Sequence, residues 1–428
     1  MDYFPLFAAF SSGLAQPIVI VAVAVGFYMA WNIGANDVAN AMGTSVGSGS
    51  LTFRQAVVVA AIFEFSGAVL VGSSVTDTVR KGIVHPEDFA DTPDVLMYGM
   101  LAALISAAVW LNVATYFGQP VSTTHSIVGG VLGFGLVAGI SVNWGKIGQI
   151  VASWFISPLA SGMIGMFVFW LILKLIIRRR EPDLAARWYA PFFVLVVAFI
   201  LALSFIYKGL KSVEFFNQMP FPVALGWATL TGVTCACLSW FAIARIAREM
   251  TLTEDQKLAF VERVFGFLQI VTACYVAFAH GANDVANAVG PLAAVYHIAM
   301  THEVAMTVPV PIWILAFGGI GIVVGLIMMG RRVIKTIGSG ITEITPSRGF
   351  AAQFGAATAV LVCSRMGLPV STTHCLVGAV TGVALVRGIA AVDAKTVRNI
   401  FVSWIATVPI AAVLTIVIYL GFRLFLIG

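Results

Sequence analysis

The sequence is poor in charge and in cysteine. Charged residues make up 10% of its 428 positions, whereas a soluble domain carries about 25%. The five cysteines stand in or beside apolar segments, and Cys235 and Cys237 lack the spacing of a zinc site or a redox pair. This composition excludes a soluble globular domain and gives no support to a zinc or redox centre. We interpret the cysteines as small core residues.

The chain carries a formal net charge of +5, which raises the question of a nucleic-acid partner. Its basic residues stand in short loops between apolar segments and form no continuous stripe, so we expect no nucleic-acid binding. Membrane topology explains them better, because short cytoplasmic loops are enriched in Lys and Arg.

Long apolar runs are abundant instead. Hydrophobic residues make up 60% of the chain, and the mean hydropathy is +0.98. A helix that rises about 1.5 Å per residue needs about 20 apolar residues to cross a bilayer. The sequence therefore predicts an all-α polytopic protein surrounded by the lipid bilayer. Its twelve predicted transmembrane elements cover 17–41, 54–74, 97–118, 121–141, 147–177, 190–207, 222–246, 264–290, 311–330, 350–366, 370–391 and 398–426.

Two polar motifs each occur twice in this apolar chain. Gly34–Gly43 returns almost letter for letter as Gly281–Gly290, and Pro120–His125 returns as Pro369–His374. The offsets are 247 and 249 residues. Motifs that recur in the same order predict an internally duplicated membrane protein whose halves build one site together.

The distribution of Lys and Arg predicts that the two repeats are inverted. Arg178–Arg180 and the basic segment 331–349 should lie in the cytoplasm, whereas the equivalent loop 75–96 has only Arg80 and Lys81 and should lie outside. Equivalent loops on opposite sides indicate inverted repeats, with both termini outside. We place the first repeat at 1–180, two linking transmembrane helices with a cytoplasmic loop at 181–255, and the second repeat at 256–428.

The segments that meet at Gly118–Pro120 are either two full spans or a re-entrant hairpin whose tip stops inside the membrane. We favour the hairpin, because Pro120 removes a backbone donor and polar residues follow it. Irregular backbone at membrane depth is tolerated where it lines a cavity. The same argument applies to Pro369–Thr373.

The first motif brings amides and a carboxylate to one helix face, because Asn36, Asp37 and Asn40 are three and four residues apart. An ionised Asp at a helix centre costs roughly 2.5–3.5 kcal/mol in the membrane, which a bound cation would remove. The alternative is a surface helix cap, but a cap needs one acceptor and does not explain ten retained positions. The second copy offers Asn283, Asp284 and Asn287.

The second motif predicts a helix that begins inside the membrane with hydroxyl groups beside its free N–H groups. Such a terminus favours an anion. Thr124 or Thr373 could ligate a small cation, while Ser122, Thr123, Ser371 and Thr372 donate to an oxyanion. The alternative is that these hydroxyls only satisfy the backbone freed by proline.

Four residues are left without a definite role. His125 and His374 are interpreted first as hydrogen-bonding or capping residues, with metal binding or proton transfer as alternatives. Glu64 is either a cation ligand or a partner for a neighbouring helix. Arg365 either reaches an anion or extends to the interface.

Both motifs, present in both halves, resemble those of the inorganic phosphate transporter family. The resemblance implies a plasma-membrane symporter that couples phosphate to sodium by alternating access, without enzymatic activity or a cofactor, and a homodimer. It implies that phosphate and sodium are the bound species. It also implies a compact member of the family, because the chain has no large insertion between its halves. The expected phosphate ligands are Asp37, Asn40, Ser122, Thr123, Thr124, Asp284, Asn287, Ser371, Thr372 and Thr373; those for sodium are Asn36, Asp37, Asn40, Thr124, Asn283, Asp284, Asn287 and Thr373.

Other functions remain open at this point. The same architecture would serve proton coupling, a metal–phosphate complex or sulfate. An intramembrane hydrolase is disfavoured, because a nucleophile and its base need one set of residues and gain nothing from a second. Carboxylates in both motifs oppose an anion channel unless cations are bound with the anion.

Overall fold

The computed structural model describes residues 17–72, 83–206, 219–248, 253–305, 310–365 and 370–427, and every regular element in these ranges is helical. The α-helices are α1 Pro17–Asp37, α2 Ala39–Gly47, α3 Phe53–Val71, α4 Pro93–Tyr116, α5 Thr123–Val137, α6 Trp144–Ile172, α7 Pro182–Ser204, α8 Phe221–Arg248, α9 Glu254–Thr301, α10 Ile312–Lys335, α11 Pro346–Arg365, α12 Thr372–Leu385 and α13 Ala394–Phe422. Helices α6, α10 and α13 are each extended at the C-terminal end by one π-helical turn.

All twelve predicted segments coincide with a helix or with a pair of consecutive helices. In the described ranges, nine helices are long and apolar enough to cross a membrane. The helices α5 and α12 have only 15 and 14 residues, which gives them about 20 Å each at 1.5 Å per residue. Neither reaches across about 30 Å of hydrocarbon, and their shortness agrees with the expected hairpins.

Local sequence explains several helix boundaries. Thr52 and Gln55 form a reciprocal capping box at the start of α3, and proline occupies the first turn of α4 and α7, where its missing N–H costs nothing. Asp393 accepts a hydrogen bond from the backbone N–H of Thr396 at the start of α13. That bond lowers the pKa of the exposed Asp393 carboxyl below its ordinary value.

The two halves interlock through equivalent close contacts. A methyl group added at Gly34 of α1 would overlap the carbonyl oxygen of Ile322 on α10, and one added at Gly281 of α9 would overlap that of Glu64 on α3. Gly34 and Gly281 are equivalent motif positions, so each half supplies one helix to each pair. Only glycine lets backbones come this close.

Each short hairpin helix likewise packs against a helix of the other half. Helix α5 of the first half packs on α13 of the second, and α12 of the second packs on α6 of the first. One apolar core, with residues from both halves, joins these pairs. The glycines at the two contacts also correspond: Gly129 and Gly133 lie against Val408 and Ala412, and Gly378 and Gly382 lie against Pro158 and Gly162.

The two copies of the first motif differ in backbone. In the first half the regular helix is interrupted at the single residue Val38, inside the motif, whose dihedrals stay right-handed helical (φ −63°, ψ −19°), so α1 and α2 together form one span, Pro17–Gly47. In the second half the motif lies within α9, which runs unbroken for 48 residues. The predicted segment 264–290 is therefore only the middle of a longer helix.

Some sequence expectations fall on residues that the structure does not describe. These are the N-terminal 16 residues, Arg80 and Lys81 within 73–82, and Pro369 at the second hairpin; the Arg365 side chain also lies outside the described part. Of the cysteines, Cys363 and Cys375 are buried as expected, but Cys237 is exposed and is not a core residue.

Candidate functional site

The four motif copies meet at one place and exchange contacts crosswise. The Asn40 amide nitrogen donates to the Thr373 hydroxyl at 2.8 Å, and the Asn287 amide nitrogen donates to the Thr124 hydroxyl at 3.3 Å. Asn40 and Asn287 are equivalent positions, as are Thr124 and Thr373. Each copy of the first motif therefore holds the hairpin of the other half.

A second layer of contacts tightens this arrangement. The Thr123 hydroxyl donates to Asp37 Oδ2, and Asn40 also reaches the Thr372 hydroxyl at 3.3 Å. The Thr373 hydroxyl lies 3.4 Å from the carbonyl oxygen of Val121, in the first hairpin. The structure thus brings together the predicted site residues of both hairpins around Asp37 and Asn40.

Ser122 and Ser371 begin the two hairpin helices. Each hydroxyl oxygen accepts a hydrogen bond from the backbone N–H three residues later, at His125 and His374 respectively, with both distances 3.3 Å. These serines are N-caps that satisfy backbone donors, as the simpler interpretation expected. A capping hydroxyl keeps its own proton, so it can still donate to an anion.

Asn36 has a different environment from the rest of its motif. Its amide nitrogen donates to the Thr115 hydroxyl at 2.9 Å and to the Gln119 carbonyl at 3.0 Å, and its oxygen accepts from the Val121 N–H at 3.1 Å. Both ends of the side chain are therefore used to hold the first hairpin tip, where Pro120 leaves irregular backbone.

A buried acidic cluster lies beside these contacts. His280 Nδ1 is 2.7 Å from Glu64 Oε2, and His280 Nε2 is 2.7 Å from Asp284 Oδ2. One ligand atom each from Asp37, His280 and Asp284 lie within 4.8 Å of one another. All four residues are at most 4% exposed. Three carboxyl groups surround one imidazole, so full ionisation leaves excess negative charge even with a protonated histidine.

His280 is the functional candidate that sequence reasoning missed. It precedes Gly281 and so lies just outside the repeated ten residues. Comparing the copies would have revealed it, because Ile33 stands at the equivalent position before Gly34. Its partner Glu64 contacts Gly281 as Ile322 contacts Gly34. One of the two equivalent helix contacts therefore has a polar pair where the other has two buried isoleucines, and Glu64 does pair with a neighbouring helix.

Several oxygens in the site lack a hydrogen-bond donor among the described residues. Asp37 Oδ1, Asn40 Oδ1 and Glu64 Oε1 are buried in this way. Buried polar atoms are satisfied in nearly all proteins. Carboxylate, amide and hydroxyl oxygens are the ligands that small hard cations prefer, so this donor set fits a cation.

His125 and His374 contact each other where the two hairpin helices meet. Their ring centroids are 4.6 Å apart at 87°, and His374 stacks on Trp404 at 3.6 Å while His125 packs against Trp154 at 4.6 Å. Neither imidazole caps a helix. Their Nδ1 atoms have no hydrogen-bond partner among the described residues. The rings act as packing groups in the described structure.

Access to the site differs between two equivalent seams. Between α9 and α11 a cavity of about 50 Å³ reaches Asn40, His280, Asn283 and Thr372. In the equivalent seam between α1 and α4, Asn112 donates to Asn32 at 3.1 Å, and Asn32, Ile33 and Leu111 are buried. Among the described residues, a cavity thus reaches the site through the seam of the second half, whereas an asparagine pair bridges the equivalent seam of the first.

Nine apolar spans in the described ranges, short hairpin helices and a polar site built from duplicated motifs define a multi-pass membrane transporter. Residues 33–415 match the model of the phosphate transporter family. The chain belongs to this family, and it is a transporter, not an enzyme.

Individual relatives agree over nearly the whole chain. A protein of Thermococcus kodakarensis, named as a candidate phosphate permease, is 46% identical over 94% of this chain and 96% of its own length. The chloroplastic inorganic phosphate transporter 2-1 of Arabidopsis thaliana is 43% identical over 96% of this chain and 74% of its own length. A solved structure described as the sodium-dependent phosphate transporter has 44% identity and a TM-score of 0.84, and covers 96% of this chain and 100% of its own.

Proposed function

We propose that this chain couples the uptake of inorganic phosphate to sodium across the plasma membrane by alternating access. The observation that carries this proposal is the crossed site: two carboxylates, two amides and paired threonines from both halves meet in a buried place with unsatisfied oxygens. No Lys or Arg belongs to the repeated motifs. A phosphate anion there needs accompanying cations, and the solved sodium-dependent relative supports sodium in this role.

The proposed division of roles follows the chemistry of each group. Carboxylate and amide oxygens suit sodium, whereas hydroxyl donors and free helix N–H groups suit phosphate. Asn36 would act mainly through the hairpin tip that it holds. We propose the following sodium ligands: Asp37, Asn40, Thr124, Asp284, Asn287 and Thr373, with Asn36 and Asn283 beside them. Phosphate would directly contact the hydroxyl groups of Ser122, Thr123, Thr124, Ser371, Thr372 and Thr373. It would interact with Asp37, Asn40, Asp284 and Asn287 through the shared cations.

Alternating access is supported by the unequal seams. In an inverted-repeat transporter the two halves exchange conformations, so equivalent seams open on opposite sides in turn. We propose inverted repeats at 1–180 and 256–428, linked by 181–255, with both termini outside and a homodimeric assembly. The reciprocal glycine contacts support a twofold relation between the halves.

The coupling is tested with purified protein in liposomes, with labelled phosphate outside and a sodium gradient or a proton gradient imposed separately. We expect uptake to follow sodium and to saturate with phosphate. Uptake that ignores the sodium gradient but follows the proton gradient would contradict sodium coupling, and it is the alternative that the buried His280 cluster favours. Uptake of sulfate in place of phosphate would contradict the proposal that phosphate is the substrate.

A further inference from the structure

A second cavity lies far from the motifs, between the linking helices α7 and α8 and the first part of α9. Its volume is about 850 Å³, within the range of small-molecule sites. Its lining is almost entirely apolar and includes Val197 and Leu201 of α7, Phe205 just after α7, Leu238 of α8, and Phe260 and Phe267 of α9. We call this cavity the linker groove.

The linker groove opens sideways, toward the surroundings of the helices. Three lining side chains are largely exposed: Phe205 by 44%, Leu238 by 64% and Phe267 by 69%. They lie on or directly after helices that are long and apolar enough to span the membrane. Acyl chains are therefore the medium that meets this opening.

One end of the groove is basic. Arg263 of α9 lines it, is exposed, and forms no ion pair with any residue in the described part of the chain. The neighbouring Glu262 carboxylate is already engaged by the backbone and hydroxyl of Ser347, at 2.8 and 2.9 Å. It forms no ion pair with Arg263 in the described part of the chain.

Arg187 adds a second cation near this end. It lies over the Trp240 ring at 5.5 Å, one helical turn from Ala190, which packs in a small cluster with Ile243 and Phe260. Phe260 is itself one turn before Arg263. This end carries the start of α7, which follows Arg178–Arg180, so we expect it on the cytoplasmic side.

We infer that the linker groove binds an anionic phospholipid of the cytoplasmic leaflet, with an acyl chain along the apolar lining and the headgroup phosphate on Arg263. Basic pockets between transmembrane helices recognise such headgroups. Charge favours a lipid over a second copy of the chain, because this end of the groove presents uncompensated arginine. This inference does not rest on the proposed transport function.

The test is native mass spectrometry of the full-length protein in detergent, titrated with phosphatidylglycerol or phosphatidylcholine of identical acyl chains. We expect tighter binding of phosphatidylglycerol. Arg263→Gln should weaken it about fivefold, the effect of one cation near a headgroup, and should weaken phosphatidylcholine binding less, because the choline cation already offsets the charge of its phosphate. Arg398→Gln is the matched control, because Arg398 is an exposed arginine near the start of α13 that does not line the groove.

A second variant tests the acyl chain. Ala198 and Ala202 line the groove on α7, so Ala198→Phe with Ala202→Phe should reduce binding of both lipids. Equal affinity for the two lipids in the unmodified protein, or no effect of Arg263→Gln, would overturn the inference. It would also be overturned if the filled groove dissociated a dimer and left lipid binding unchanged, since a second copy would then be the occupant.

Discussion

At the scale of single residues, Asp37 and Asp284 occupy equivalent positions but have different partners. Asp37 accepts from a hairpin threonine, whereas Asp284 faces His280 four residues earlier on the same helix. The repeated motif predicted a pair of like carboxylates. Their unequal partners arise from tertiary contacts with α3 and α5, which the spacing of a motif does not contain.

Replacing either carboxylate tests the proposed cation site. Asp37→Asn and Asp284→Asn keep the shape of the side chain but remove its charge, so each should lower sodium-driven phosphate uptake about tenfold or more, the effect of roughly 1.4 kcal/mol in cation binding. Uptake into liposomes is the measurement, with expression level and elution profile as checks of folding. Asp88→Asn, at an exposed turn, is the control. Full activity in both site variants would remove these carboxylates from the mechanism.

The polar pair at one helix contact can be converted to the apolar pair at its equivalent. His280→Ile alone leaves Glu64 and Asp284 buried without their shared partner, and breaking a buried ion pair in this way costs about 3–5 kcal/mol. Adding Glu64→Ile removes the stranded glutamate and copies Ile33 and Ile322, which are fully buried.

We therefore expect His280→Ile to lower the thermal unfolding midpoint more than the double variant does. The thermal unfolding midpoints of the unmodified protein, both single variants and the double variant are measured in detergent and compared as a double-mutant cycle. A double variant as unstable as His280→Ile would show that the stranded Glu64 is not the cause of the single variant's instability. The same proteins, assayed in liposomes, report separately whether transport needs the polar pair.

At the scale of helices, the sequence predicted more of the fold than of the contacts. Apolar length located every helix, and Pro120 located the first hairpin, because both depend on local composition. The unbroken course of α9 could not be predicted, since the same motif interrupts a helix at Val38 and continues one at Val285. The exchange of partners between halves also depends on surfaces that meet only after folding.

The close helix contacts at Gly34 and Gly281 give a prediction for helix packing. An alanine methyl group at either position overlaps backbone of the neighbouring helix, and overpacking costs roughly 1–3 kcal/mol or more. We expect Gly34→Ala and Gly281→Ala to lower the thermal unfolding midpoint in detergent. Gly148→Ala on α6, where nothing lies within 4 Å of the added methyl, should not. Equal midpoints in all three variants would show that the helices separate easily.

At the scale of the whole molecule, the equivalent seams report a conformational asymmetry. Asn112 and Asn32 form a hydrogen bond across the seam between α1 and α4, whereas their equivalents, Leu361 and Ala279, line the cavity between α9 and α11. The offsets between the motif copies identify which residues of the two seams are equivalent. Comparing the two halves in sequence cannot predict which seam is open, because both halves could adopt either packing. Under the proposed alternating access, the described structure represents one of two related arrangements.

Exchange between these arrangements predicts opposite changes in accessibility. In a background with the native cysteines replaced, Ala279→Cys should react with a membrane-impermeant thiol reagent faster than Asn32→Cys, because Asn32 is fully buried in the seam between α1 and α4. If binding of sodium and phosphate moves the site between the two sides, addition of both should slow one reaction and speed the other. Rates are measured by mass spectrometry on protein in liposomes, with sodium alone and phosphate alone as controls. Parallel changes at both positions would mean that the seams open together, which a transporter working by alternating access cannot allow, since ions would then cross without coupling.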